Sequence, residues 1–140
     1  MHVVVGFGLL VIAFSSAALW LGQRSATRKK RIRFAERTPL TLKEFWRQFY
    51  EARGVPLEVV EEVLPVIAEA AEVPIMLLRP TDRFAEDLAP EKGWEFGDRL
   101  AEVGWWVRAL AKRSGREVDL SGVRTVDDLI RLAHDLAAPT

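Results

Sequence analysis

The chain has 140 residues, 49% of them hydrophobic, which suffices for a packed core and excludes wholesale disorder. Its 20 basic and 20 acidic residues cancel, and with no cysteine it has neither disulfides, thiolate metal ligands nor a cysteine nucleophile. At this length one domain plus an appendage fits, and a second full domain does not.

The zero net charge is an average over three unlike segments. Met1 to Gly22 carries no Lys, Arg, Asp or Glu. Gln23 to Arg37 carries seven basic residues and a single acid, Glu36. Thr38 to Thr140 holds thirteen basic against nineteen acidic residues, a net charge of −6.

Val3 to Leu21 is uninterrupted by charge, and eleven of its residues are Val, Leu, Ile or Phe. About 20 such residues in a helix match a hydrocarbon core of about 30 Å. At about −0.3 to −0.6 kcal/mol per strongly apolar residue, insertion is favourable by several kcal/mol. Residues 1–22 are therefore expected to form a transmembrane helix, with Trp20 at the headgroup interface. A cleaved signal peptide fits worse: the start lacks a basic n-region, the apolar run is long, and the flank after it is basic.

Arg24, Arg28, Lys29, Lys30, Arg31 and Arg33 set the orientation. Basic residues close to a span stay on the cytoplasmic side. The expectation is a single-pass protein of the plasma (inner) membrane, N-terminus outside and C-terminal domain cytoplasmic. Residues 23–37 then form a basic juxtamembrane linker lying on anionic lipid headgroups. The same charges could serve nuclear import or nucleic-acid binding, but the neighbouring span accounts for them.

Beyond the linker the pattern is helical. Thr41-Leu-Lys-Glu44 has the form of a capping box. Leu42, Phe45, Trp46, Phe49 and Tyr50 then recur on one face, so 38–54 is expected to be an amphipathic helix ending at Gly54. Residues 55–140 form the main domain. Its first helix begins near Pro56 and buries Val60, Val63, Leu64, Ile67, Ala68 and Ala71, with Glu58, Glu61, Glu62, Glu69 and Glu72 on the wet side. Pro65 is expected to kink or split it.

Leu78 to Leu88 is expected to be a structured loop, with Phe84 and Leu88 plugging the core. Gly93 and Gly97 break the chain around Trp94 and Phe96. Asp98 is expected to cap the next helix, which runs to Gly115 and buries Leu100, Val103, Val107, Leu110 and Ala111. Trp105 points away from that face and is expected to pack on the loop around Trp94. Thr125 caps the last helix, whose buried stripe is Val126, Leu129, Ile130, Ala133 and Leu136.

Catalytic parts are missing. His2 and His134 stand alone, without metal-ligand spacing. No nucleophile elbow or phosphate-binding loop occurs, and adjacency in Glu86-Asp87 or Asp127-Asp128 does not set two carboxylates across a substrate. The expectation is a protein that is not an enzyme, with no catalytic residues, no cofactor and no metal. The acidic body disfavours nucleic acid and suits a protein partner with basic patches.

Residues 60–137 resemble acyl carrier proteins in the order of their elements. Val66-Ile-Ala-Glu69 ends a first helix in that family's manner, and Phe84-Ala-Glu-Asp-Leu88 is similar to its Phe-x-Glu-Asp-Leu motif. Asp98-Arg-Leu100 falls where the family has Asp-Ser-Leu. Val118 to Val123 and Thr125-Val126 resemble the approach to its last helix. The resemblance implies an all-α bundle of about four helices behind the transmembrane segment.

It also implies a phosphopantetheine arm on the serine of Asp-Ser-Leu, but here Arg99 replaces that serine. A guanidinium cannot accept a phosphodiester. Ala89 to Gly97 further inserts nine residues where the family has about two. The expected role is thus a non-catalytic, acyl-carrier-like docking module for an unknown protein. The family's partner surface, its second long helix, maps to Asp98, Arg99, Glu102 and Trp105, joined here by Trp94 and Phe96 of the insertion. The competing readings are a genuine acyl carrier in lipid metabolism and a small structural accessory subunit of a membrane complex.

Overall fold

Capping and periodicity set where the helices begin and end in the computed structural model. It describes the backbone over residues 29–88 and 96–139, with side chains for 29–88 and 101–139. The expected transmembrane helix over 1–22, Arg24, Arg28 and the loop around Trp94 lie outside the described residues. No helix among the described residues is long and apolar enough to cross a membrane.

Residues 1–36 and 37–140 form two units. In the first, residues 29–35 are helical, although the composition suggested a linker. Lys, Arg and Ala are good helix formers, and a run of them propagates a helix regardless of charge. Lys29, Arg31 and Arg33 are exposed there and Lys30 is half-buried.

The second unit holds four helices among its described residues: α1 (Leu42–Phe49), α2 (Leu57–Ala71), α3 (Phe96–Arg113) and α4 (Val126–Ala137). No β-strand occurs among the described residues, only an isolated antiparallel bridge between Arg83 and Thr125. The unit is an all-α bundle.

Helix α1 is shorter than the stripe suggested. The Thr41 hydroxyl accepts from the Glu44 amide, and the Glu44 carboxylate accepts from the Thr41 amide at 2.8 Å, completing the capping box. After Phe49 the chain tightens into a 3₁₀ turn, Glu51–Arg53, and Gly54 ends it at φ 73°, a left-handed conformation that glycine adopts without steric cost. Phe45 and Tyr50 are buried, while Leu42, Trp46 and Phe49 are half-buried. The Trp46 indole donates to the Val55 carbonyl at 2.7 Å, folding the turn back on its helix.

Helix α2 is the centre of the bundle and packs against α1, α3 and α4. It buries Val59, Val60, Val63, Leu64, Ile67, Ala70 and Ala71. Of the two outcomes expected at Pro65, a kink or a split, the split does not occur: α2 is continuous from Leu57 to Ala71. Pro65 is exposed, so its ring faces water. The core contacts on both sides of it offset the one hydrogen bond that proline removes.

Helix α3 starts at Phe96, earlier than expected. Asp98 is inside its first turn rather than at the N-cap, and Gly97 is helical rather than a break. An acid in a first turn is favoured by the helix dipole, and one helical glycine costs about 1 kcal/mol against alanine. At the far end Gly115 takes φ 66°, and the Arg116 amide donates back to Ala111. Ser114 ties α3 to α4, its hydroxyl oxygen lying 2.9 Å from the carbonyls of both Leu110 and Leu136, which share its one proton.

Helix α4 opens with a second capping box, between Thr125 and Asp128. Its predicted stripe, Val126, Leu129, Ile130, Ala133 and Leu136, is buried in full. The loop before α3 is structured as expected, with Phe84 and Leu88 in the core. The Phe84 amide donates to Arg124, and the amides of Val126 and Asp127 donate to Asp82 and Pro80. The first turn of α4 is thereby pinned to residues 80–84.

Candidate functional site

Of the residues that sequence places on a partner surface, Glu102 and Trp105 have described side chains, and both are on the outward side of α3. Trp105 is 70% exposed, more than any other large hydrophobic residue described. The expected packing of Trp105 on the loop around Trp94 falls outside the described residues. Its neighbour Trp106 is half-buried and takes the inward-leaning position, because consecutive helical residues stand about 100° apart and cannot share one burial environment.

Glu102, one turn before Trp105, is exposed on the same side. Phe96, Asp98 and Arg99 belong to the first turn of α3. Register places Asp98 in line with Trp105, seven residues on, whereas Arg99 stands about 120° round the axis. Trp94 and the side chains of Phe96, Asp98 and Arg99 lie outside the described residues, so of the six only Glu102 and Trp105 have described side chains.

Two residues absent from the sequence reading join the exposed side. Arg108 and Lys112 stand three and seven positions after Trp105 and are exposed, with Ala101 and Ala109 exposed on either side of the indole. Spacing of i+3 and i+7 from an outward-facing tryptophan was the signal that would have found them. Glu102, Arg108 and Lys112 make no ion pair with one another or with any other described residue.

Behind this side lies an apolar cavity of about 140 Å³. Val103, Gly104 and Val107 of α3 face Leu120 and Val123 of the loop, with Phe84 and Leu129 closing it. A Cβ on Gly104 would meet the Leu120 Cδ1 at 3.6 Å, ordinary contact, so alanine fits there and narrows the space.

Elsewhere the polar chemistry is satisfied internally. Asp127 sits at the start of α4 and gathers three partners. The Tyr50 hydroxyl donates to its Oδ1 at 2.8 Å, Arg53 to the same oxygen at 2.8 Å, and Arg131 lies 3.0 Å from its Oδ2. Burial pushes the Asp127 carboxyl up, but the hydrogen bonds from Arg53 and Tyr50 and the charges of Arg53 and Arg131 outweigh it, so the group stays below the ordinary carboxylate value. Burial first, and the bond to Asp127 second, raise the Tyr50 phenol far above its usual range. Tyr50 is thus a permanent donor.

A second knot surrounds Asp82, which is 2% exposed. Arg37 grips it with both terminal nitrogens, at 2.8 and 2.7 Å, and the Arg79 amide donates to it at 2.8 Å. Burial lowers the Arg79 guanidinium, and the adjacent Arg37 charge lowers it further. No buried side-chain nitrogen or oxygen among the described residues lacks a hydrogen-bond partner, and no group of three or more His, Asp or Glu there could hold a metal. These knots hold the fold.

Family models, curated proteins and solved structures give no match to this chain. The site must be interpreted from its own geometry.

Proposed function

We propose that the chain is a membrane-anchored, non-catalytic docking module, built on an acyl-carrier-like helical body that faces the cytoplasm. One observation carries the reading: Trp105 exposes 70% of its surface at the middle of α3, in a bundle that buries or half-buries its other described aromatic side chains. Tryptophan is the residue most enriched among the energetic anchors of protein interfaces. Unpaired Glu102, Arg108 and Lys112 around it form the polar rim that such an anchor has.

The membrane part is supported by the charge-free run from Val3 to Leu21 and the basic residues after it. The carrier-like part is supported by helical order and by motifs shared with that family. Arg99 in place of the arm-bearing serine favours a module over a working carrier.

The tests separate these parts. Tagged full-length chain, extracted from membranes in mild detergent, should retain a partner that Trp105→Ser loses; the same partner set on both would overturn the docking face. The chain should resist alkaline carbonate extraction from membranes, and release into the supernatant would contradict the anchor. The apolar cavity beside Gly104 favours one competing reading, a true carrier that shelters a chain. Intact mass after co-expression with a phosphopantetheinyl transferase should be unchanged, and an added arm would replace the module with the carrier.

A further inference from the structure

The exposed side of α3 is complementary to itself. Counting outward from Trp105, three residues back is Glu102 and three forward is Arg108. Four back is Ala101 and four forward is Ala109. The pattern continues in the sequence, with Asp98 seven back and Lys112 seven forward. Opposite charges therefore stand at equal distances on either side of one indole, and small residues stand at equal distances as well.

Such a pattern has one geometric solution. When two copies of a helix pack antiparallel about a two-fold axis, the residue k positions before the centre faces the residue k positions after it in the other copy. With the axis at Trp105, Glu102 meets the other copy's Arg108 twice over, and Ala101 meets Ala109 twice over. The alanines leave a shelf on each side of the indole, so the two tryptophans can lie against each other's helix at ordinary helix-packing distance.

Within one chain these charges are poorly placed. Arg108 and Lys112 are like charges four residues apart on the same helix, a destabilising arrangement. Neither pairs with an acid among the described residues. A second copy supplies one.

We propose that α3 is a self-association surface, and that the partner docked on Trp105 is a second copy of this chain in antiparallel, two-fold register. The inference rests on the docking reading of that face and names its occupant. It also explains how a contact as small as one helix face could be sufficient: copies confined to one bilayer meet at a raised effective concentration.

Charge reversal tests it on the full chain in detergent, with self-association read by sedimentation. Glu102→Arg sets Arg against Arg at both ends of the interface, and Arg108→Glu sets Glu against Glu. Each single reversal should weaken self-association by about tenfold or more, and the double E102R/R108E should recover it to within about threefold, because the swapped charges meet again. Both positions are exposed, and unchanged circular dichroism melts establish that every variant folds.

The absence of cysteine permits a register test. A mixture of Ala101→Cys and Ala109→Cys chains should form a mixed disulfide, whereas Ala101→Cys alone should not pair. Pairing by Ala101→Cys alone would overturn the antiparallel register. A chain that stays monomeric throughout, or a double reversal as weak as the singles, would overturn self-association. A different protein that then binds wild type and not Trp105→Ser leaves the docking face standing with another occupant; loss of that discrimination sinks both.

Discussion

Tyr50 and Trp105 are both large aromatic residues on the second unit, and the bundle treats them in opposite ways. Tyr50 is fully buried, stacks on Phe45 at 5.7 Å between ring centroids, and spends its hydroxyl on Asp127. Trp105 stands in water with no polar partner among the described residues. Around Tyr50 every charge is answered from within the chain, by Arg53 and Arg131. Around Trp105 the charges have no ion-pair partner among the described residues. The contrast separates what the sequence needs to fold from what it holds out for something else.

The comparison breaks most visibly at the Asp82 knot, the internal counterpart with the greatest burial. Arg37→Met leaves a buried carboxylate without its cation and should cost roughly 2–4 kcal/mol in urea unfolding. A cost under about 0.5 kcal/mol would mean the pair is ornamental. Tyr50→Phe removes one hydrogen bond to a carboxylate that keeps two cations, so the expected loss is about 1–2 kcal/mol. No loss would place Tyr50 with Trp105 rather than against it.

Acid sharpens the same contrast. The Asp127 pKa is depressed in the fold, so its stabilisation is present above the unfolded-state value of about 3.9 and disappears as pH falls through the folded value. Stability should therefore decline below about pH 4, and the decline should be shallower in Asp127→Asn. A wild-type curve that superimposes on that of the variant would remove Asp127 from the account.

Much of the bundle was legible because its signals are local. Thr41 and Glu44 are three residues apart, and the stripe of α4 repeats within twelve residues. What sequence could not supply was partnership across the chain. Arg37 and Asp82 are 45 residues apart, and Tyr50 and Asp127 are 77 apart, so nothing in their own neighbourhoods pairs them. Pro65 shows the converse: its local rule is sound, but packing on both flanks of α2 prevents the split that it offered. Asp98 misled because a good capping residue is also at home one turn further in.

For the candidate site the outcome was mixed. Helical repeat set Trp105 outside the buried stripe of α3, yet the general burial of tryptophan argued for covering it. The charges that matter beside it, Arg108 and Lys112, did not enter the sequence reading at all. Their relation to Glu102 emerges only when counted from the indole rather than along the helix.

The most direct trial of the central claim uses one substitution and two readings. Trp105→Ser should change the folding free energy by about 0.5 kcal/mol or less, since the indole is mostly in water, while abolishing association of the full-length chain. If instead the substitution unfolds the bundle by several kcal/mol, or leaves association as it was, the outward face of α3 is structural and not a place where another molecule sits.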